Sequence, residues 1–320
     1  MLTPLRLRPV LRRRPWGGRS LDAMWSPGGA DRDPGSGPFG EAWLAGPDNR
    51  VADGPDAGRS VAEMVAEHGA GLLGSDATAF ALRAKLLDAA EPLSVQVHPD
   101  DAYARERGEA SGKTEAWWVL NASPDAFVWW GFGRATGPAE VAAAARAGSL
   151  ASLLRRLPVG VGDVVVNPAG TVHALGPGLV VYEVQQSADV TYRMDDHGRL
   201  GDDGRPRELH LDDALAVARW TPGEAPAPAA VARGPGRTEL ARTSAFVLEA
   251  VVAGGGPSWE VRGSACELLT HLGEGGDVAL AWSSGTLPLR PWDTLLLPAG
   301  LGPVRVDGGP ARLARAWAEG

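Results

Sequence analysis

The apolar residues of the chain form short runs, several of which alternate with polar residues, as in strands that bury one face. Runs rich in β-branched and aromatic residues predict strands at residues 93–97, 116–120, 127–130, 163–167 and 179–185. Pro138 and the alanine-rich sequence after it predict two short helices within residues 137–157, and a further helix is predicted at residues 211–220. The chain is therefore predicted to be mainly β, with a few short helices.

A proline-rich segment divides this pattern in two. Residues 221–230 contain three prolines among small residues, which is typical of a linker. A length of 320 residues also exceeds what one hydrophobic core usually supports. We therefore predict two domains, residues 1–230 and residues 231–320.

A repeated motif relates the two predicted domains. Residues 162–173 and residues 292–303 share an aspartate, a short strand, the turn Pro-Ala-Gly and a final position three residues further on. This final position is His173 in the first copy and Pro303, which cannot bind a metal, in the second. We expect two related barrels, of which the C-terminal one lacks a metal site and acts as a scaffold. The alternative is that Pro-Ala-Gly recurs by chance in a chain rich in these residues.

Composition narrows the classes of function. A net charge of −8 argues against nucleic acid as a partner. The single cysteine, Cys266, excludes an intrachain disulfide and fits a reducing cytoplasm, which is the predicted location. The arginine-rich first residues are not followed by the apolar segment of a secretion signal, and nowhere in the chain is an apolar run long enough to span a membrane.

Four side chains are candidates for a metal site. The pattern Gly-x5-Pro-x-Gly-x2-His at residues 162–173 resembles the second conserved motif of the cupin superfamily, in which a tight turn directs a histidine, here His173, into a β-barrel. Gln96 and His98 are two residues apart on a predicted strand and so share a face, and Glu115 precedes the next strand. Two imidazoles, a carboxylate and an amide oxygen suit Zn²⁺, although Mn²⁺, Fe²⁺ and Co²⁺ are compatible with them. Gln96 could instead only orient the site.

Longer blocks of sequence resemble the type I mannose-6-phosphate isomerases, in their short bacterial form. These blocks are residues 86–90, 93–101, 112–117, 168–174, 183–186 and 189–193. The resemblance extends over nearly the whole chain and is strongest from residue 80 to residue 215. It implies two cupin-like β-barrels (jelly rolls), one zinc ion per chain, and a small phosphorylated sugar as the partner. The implied reaction interconverts mannose 6-phosphate and fructose 6-phosphate through an enediolate.

The same resemblance implies roles for individual residues. The metal ligands of the family fall on the four candidates above, and its catalytic arginine falls on Arg193. Its lysine for proton transfer or phosphate contact falls on Lys113, and Lys85 and Ser94 match positions of phosphate contact. Asp189 is expected to pair with Arg193 or to join a proton relay. A cation beside a metal ion would stabilise the negative charge of an enediolate.

Three other functions remain open at this point. Residues 194–197 depart from the aromatic pattern of the family, so an isomerase of another sugar phosphate is one alternative. A metal-dependent oxygenase is a second, but it would leave Lys113 and Arg193 without a task. A non-catalytic cupin that binds a sugar phosphate is the third, and it would not need the metal ligands. The sequence does not predict the oligomeric state, although a monomer is compatible with it.

Overall fold

The computed structural model describes residues 2–25, 28–74, 77–201, 204–223 and 230–319. Its N-terminal part contains β1 (Leu5–Arg8), β2 (Val10–Gly18), α1 (Ser20–Met24), β3 (Asp31–Arg32), β4 (Phe39–Ala45), β5 (Arg50–Val51), α2 (Val61–His68), α3 (Ala70–Leu73) and β6 (Leu82–Ala89). There follow β7 (Val95–Val97), α4 (Asp101–Glu106), β8 (Glu115–Ala122), β9 (Phe127–Phe132), α5 (Pro138–Arg146), a 3-10 turn (Leu150–Leu153), β10 (Leu154–Pro158), β11 (Val164–Asn167), β12 (His173–Leu175), β13 (Leu179–Gln186), β14 (Tyr192–Asp195) and α6 (Leu211–Val217).

The C-terminal part is built of strands in the residues that the structure describes. They are β15 (Val231–Gly234), β16 (Arg237–Arg242), β17 (Phe246–Val252), β18 (Ser258–Val261), β19 (Glu267–Gly275), β20 (Val278–Trp282), β21 (Gly285–Leu289), β22 (Thr294–Leu297), β23 (Gly302–Gly308) and β24 (Ala311–Ala318).

The N-terminal barrel consists of a large and a small sheet. The large sheet has the order β11-β8-β13-β6-β4-β2-β3, and the small sheet has the order β10-β9-β12-β7-β14. Trp117 and Val181 of the large sheet pack in one buried cluster with Val128 and Leu175 of the small sheet. The apolar face of each sheet is therefore buried against the other, as in a jelly roll.

The C-terminal barrel repeats this arrangement strand by strand. Its large sheet runs β22-β19-β24-β17-β16-β15, and its small sheet runs β21-β20-β23-β18. Strands β22, β19, β24 and β17 occupy the places that β11, β8, β13 and β6 occupy in the first large sheet. The repeat predicted at residues 162–173 and 292–303 is thus confirmed, because β11 and β22, which each precede Pro-Ala-Gly, occupy the same place in the two sheets. The fold class of two cupin-like β-barrels is confirmed as well.

The two barrels share a sheet and a core. β1 pairs with β22, with Leu5 opposite Leu296, so a strand from the first residues of the chain belongs to the sheet of the C-terminal barrel. Leu44 and Leu248, one from each barrel, belong to the same buried cluster. The division into residues 1–230 and 231–320 stays a prediction, and residues 224–229 of the predicted linker lie outside the described residues.

The predicted strands and helices are confirmed, and the second of the two helices within residues 137–157 is a short 3-10 helix, Leu150–Leu153. β7, β8, β9, β11 and β13 overlap the five predicted strands. This second helix ends at Leu153, because Leu154–Pro158 forms β10 and pairs with β9. Pairing with β9 here outweighs the helix propensity of the leucines and arginines of this segment. Among the described residues, none of the helices combines the length and the apolar character needed to cross a membrane.

Candidate metal centre and adjoining cavity

Three of the four predicted metal ligands meet at one point between the sheets of the N-terminal barrel. The ligand atoms of His98, Glu115 and His173 all lie within 4.8 Å of one another, and the three side chains are buried. Glu115 Oε1 is 3.1 Å from His173 Nε2, and Glu115 Oε2 is 3.4 Å from His98 Nε2. One ion can therefore contact all three residues.

Backbone carbonyls orient both imidazoles toward this point. His98 Nδ1 is 2.9 Å from the carbonyl oxygen of Val190, and His173 Nδ1 is 2.8 Å from that of Thr171. Because a carbonyl only accepts hydrogen bonds, each ring must carry its proton on Nδ1. Each Nε2 then directs a lone pair at the centre, as in histidine ligands of metals.

Gln96 lies beside the three ligands. It is two residues before His98, on the same face of the chain, and it pairs with His173 across β7 and β12. Its Nε2 is 3.5 Å from His173 Nε2. The two ends of an amide exchange by a half-turn, so Gln96 can present its oxygen to an ion held by the histidines.

The electrostatics of this group favour a bound cation. Glu115 Oε2 is buried, and the Lys113 ammonium and His98 Nε2 lie 3.0 and 3.4 Å from it. Burial opposes the charge of Glu115, but Lys113 and the two histidines outweigh it and hold its pKa well below the usual value. Burial and the nearby Lys113 lower the pKa of His98 to about 3, so His98 is neutral at pH 7. A charged carboxylate and a neutral imidazole are the forms that bind Zn²⁺.

Lys113 contacts the metal group directly. Its Nζ is 3.0 Å from Glu115 Oε2 and 3.2 Å from His98 Nε2. The preceding Gly112 lies so close to Asp100 that a Cβ would be 2.5 Å from its carbonyl carbon, which requires a glycine there. Burial alone would lower the pKa of Lys113, but Glu115 and Glu183 outweigh it, and the pKa is raised. Lys113 is therefore a fixed positive charge at neutral pH.

A cavity of about 450 Å³ adjoins the metal group. The structure brings together in its wall six of the residues predicted from the sequence, namely Lys85, Ser94, Gln96, Lys113, Asp189 and Arg193. The cavity is large enough for a hexose phosphate. The predicted site residues thus form one concave site rather than separate clusters.

Arg193 enters this cavity from β14, next to the strand that carries Gln96. Its Nη1 donates to the carbonyl oxygen of Glu208 at 2.8 Å, and its buried Nε has no hydrogen-bond partner among the described residues. Burial and the neighbouring Arg207 lower the pKa of Arg193. A guanidinium whose positive charge is so incompletely neutralised by its neighbours is suited to bind an anion in the cavity.

Asp189 faces Lys85 in the structure. Its Oδ1 is 3.5 Å from Lys85 Nζ, and Glu183 Oε1 lies at the same distance from that nitrogen. The predicted pairing of Asp189 with Arg193 is not among the ion pairs of the described residues.

Glu183 is a residue of the site that was not predicted from the sequence. Glu183 Oε2 accepts a hydrogen bond from Trp117 Nε1 at 2.8 Å, and the residue lines the cavity. Burial and the charge of Glu115 raise the pKa of Glu183. A signal was present in the sequence, because a glutamate in the otherwise apolar run Leu179–Val184 is unusual for a buried strand.

Glu41 and Arg14 at the edge of the cavity were also missed. Arg14 Nη2 is 2.8 Å from Glu41 Oε2, which also accepts a hydrogen bond from Trp43 Nε1 at 2.7 Å. Arg14 and Glu41 are distant in sequence and lie on the neighbouring strands β2 and β4. Local patterns carry no signal for such a pair.

Comparison with known proteins extends over both barrels. Residues 5–117 match the family model for the catalytic domain of phosphomannose isomerase type I. The mannose-6-phosphate isomerase ManA of Bacillus subtilis is 34% identical over 319 residues, which cover 95% of this chain and 96% of ManA. The mannose-6-phosphate isomerase of Streptococcus mutans is 38% identical over 221 residues, or 68% of each chain.

Solved structures show the same likeness. The crystal structure of the mannose 6-phosphate isomerase from Bacillus subtilis matches with a TM-score of 0.87 and 30% identity, covering 98% of this chain and 99% of that one. A zinc-bound mannose 6-phosphate isomerase matches with a TM-score of 0.74 and 16% identity, covering 99% and 100% of the two chains. At that identity the second match shows a shared fold.

Proposed function

Because the chain belongs to the type I phosphomannose isomerase family, we propose that it interconverts mannose 6-phosphate and fructose 6-phosphate. We further propose one zinc ion per chain, bound by Gln96, His98, Glu115 and His173. The observation that carries the proposal is the contact of Lys113 with both His98 and Glu115 at the floor of a cavity that also contains Arg193. A protein that only binds a sugar phosphate would not need a charged lysine in contact with the metal ligands.

Zinc would act as a Lewis acid that stabilises negative charge on the sugar oxygens as the enediolate forms. Lys113 and Arg193 supply fixed positive charge in the same cavity. Both are protonated at neutral pH, and both are partly withdrawn from water, which strengthens their attraction to a developing oxyanion. Moving the carbonyl between C1 and C2 places this negative charge on both oxygens in turn.

Glu183 is the carboxyl group of the cavity best suited to exchange a proton with carbon. Its raised pKa makes it a stronger base than an ordinary glutamate, and Trp117 holds it in place. We propose that Glu183 takes the proton from C2 and returns it to C1, while the hydroxyl proton moves from O2 to O1, so that no net proton is released. Lys85, 3.5 Å from Glu183 Oε1, with Ser94 on the same wall, would contact the phosphate.

A coupled assay tests this function. Purified protein loaded with zinc is expected to form fructose 6-phosphate from mannose 6-phosphate, to lose the activity with a chelator, and to regain it with zinc. Arg193→Ala should lower kcat/KM by about 100-fold or more while the zinc content stays constant, since loss of one oxyanion donor typically costs that much. Full activity of Arg193→Ala would contradict its assigned role. Turnover of another sugar phosphate, but not of mannose 6-phosphate, would contradict the proposed substrate.

A second pair of variants separates the roles of Glu183 and Lys113. Glu183→Gln should abolish the exchange of the C2 proton with deuterium from solvent and retain the bound zinc. Lys113→Met should slow the reaction while leaving slow exchange detectable. If Glu183→Gln exchanges the proton at the wild-type rate, the base is another group.

A further inference from the structure

The C-terminal barrel contains a cavity of its own, of about 430 Å³. Glu267, Glu249 and Arg315 line it from β19, β17 and β24, the strands that match β8, β6 and β13 of the N-terminal barrel. Lys85 and Glu183 line the first cavity from β6 and β13. The two cavities therefore open on the same face of equivalent sheets.

The strand register identifies the residue of the C-terminal barrel that occupies the position of Glu115 in the N-terminal barrel. Glu115 pairs with Asn167, the residue before Pro-Ala-Gly in the first repeat. Glu267 pairs with Leu297, the residue before Pro-Ala-Gly in the second repeat. Glu267 is thus the counterpart of Glu115.

The same register identifies the counterparts of the other ligands. Gln96 pairs with His173 in the first barrel, and Glu260 pairs with Pro303 in the second. Two residues further along the chain, the position of His98 is occupied by Arg262. The group that could bind a metal in the first barrel therefore has no imidazole in the second.

Arg315 supplies a fixed cation in this second cavity. Its Nε and Nη2 are 2.7 and 2.6 Å from the two oxygens of Glu267, and its Nη1 is 3.0 Å from Glu249 Oε1. Trp259 Nε1 also donates to Glu267, at 2.9 Å. The counterpart of Glu115 is thus neutralised by a guanidinium, and the floor of the cavity needs no metal.

Five arginines and four glutamates line the cavity, so its lining carries one more positive than negative charge. Arg233 and Arg242 both contact Glu239, with Nη2 atoms 2.8 Å from its Oε2, and Arg242 also pairs with Glu319. Arg262 is exposed, and its side chain has no ion pair or hydrogen bond to any residue that the structure describes. The indole of Trp317 lies in the same wall. Guanidinium groups bind phosphate oxygens, and indole faces pack against sugar rings.

We propose that the cavity of the C-terminal barrel binds a sugar phosphate and does not convert it. The phosphate binds at Arg262 on the rim, and the sugar packs against Trp317. No reaction follows, because this cavity has neither the imidazole ligands of the first nor a lysine. The proposal goes beyond the isomerisation, and it rests on residues of the second barrel alone, so it can hold or fail independently of that activity.

Calorimetric titration with sorbitol 6-phosphate tests this site. Sorbitol 6-phosphate has no carbonyl group, so no isomerisation contributes heat. We expect two molecules bound per wild-type chain and one per chain in Arg262→Glu, with affinity for the second molecule reduced at least tenfold. Arg290→Glu is the matched control, because Arg290 is also exposed in the C-terminal barrel, undergoes the same change of charge and lies outside the cavity. This control should still bind two.

Several outcomes would overturn the proposal. These are a wild-type chain that binds no more molecules than Arg262→Glu does, and an Arg290→Glu variant that loses binding equally. Arg262→Gln provides a milder variant with the same expected loss, and thermal unfolding of each variant checks its folding. The isomerase assay on the same samples distinguishes the two proposals, since Arg262→Glu should retain wild-type turnover of mannose 6-phosphate.

Discussion

Glu41 offers a quantitative test of the electrostatics at the cavity edge. The side chain of Glu41 is 13% exposed and bonds to Arg14 and Trp43. Burial alone would raise its pKa, but Arg14 and Lys85 outweigh it and lower the pKa from 4.5 to about 2. Replacing Glu41 by glutamine removes this titration and keeps the shape of the side chain.

The size of the effect follows from the difference in pKa between the folded and unfolded states. A shift from 4.5 to about 2 corresponds to about 3 kcal/mol of folding free energy. The unfolded chain takes up the proton at the higher pH, so this stabilisation is complete above about pH 5 and is lost as the pH falls through about 2. Between pH 7 and pH 3, about 2 kcal/mol of it should disappear.

Urea unfolding of the wild type and Glu41→Gln at pH 7, 5, 4 and 3 measures this loss. The difference in unfolding free energy between the two proteins should shrink by about 2 kcal/mol from pH 7 to pH 3. Arg14→Gln should reduce the pH dependence of the wild type, and Glu41→Gln should add little to it in the double variant. A difference that stays constant over this pH range would refute the assigned pKa and its cause.

The remaining predictions concern the second barrel, the metal and Trp117. Arg315→Met leaves Glu267 without its buried cation and Glu249 with Arg237 alone, and it should lower the unfolding free energy by about 3–5 kcal/mol; a loss below about 1 kcal/mol in urea unfolding would contradict this. Zinc at 100 times its Kd should raise the unfolding free energy of the metal-free protein by about 2.7 kcal/mol, and an unchanged Tm would argue against a site formed by folding. Trp117→Phe removes the donor to Glu183 and should cost about 1–3 kcal/mol; an unchanged unfolding free energy would show that water replaces the indole.

Local sequence determined the elements of the metal group. The two-residue period of a strand places Gln96 and His98 on one face, and the turn at Pro168 precedes the strand that begins with His173. Both features depend on residues adjacent in the chain, so they were predictable without knowledge of the fold. The metal-binding, catalytic and phosphate-contact roles of the predicted residues stay predictions.

Tertiary structure alone decided which distant residues meet. The pairing of β13 with β6 and β8 brings Glu183 to Lys85 and Trp117, and the pairing of β2 with β4 brings Arg14 to Glu41. Strand pairing likewise made β10 a strand and placed β1 in the second barrel. Such contacts depend on the register between strands far apart in the chain, and a local pattern carries no information about that register. The chain could therefore predict the chemistry of the metal group, whereas the charges that surround it became visible only in the folded barrels.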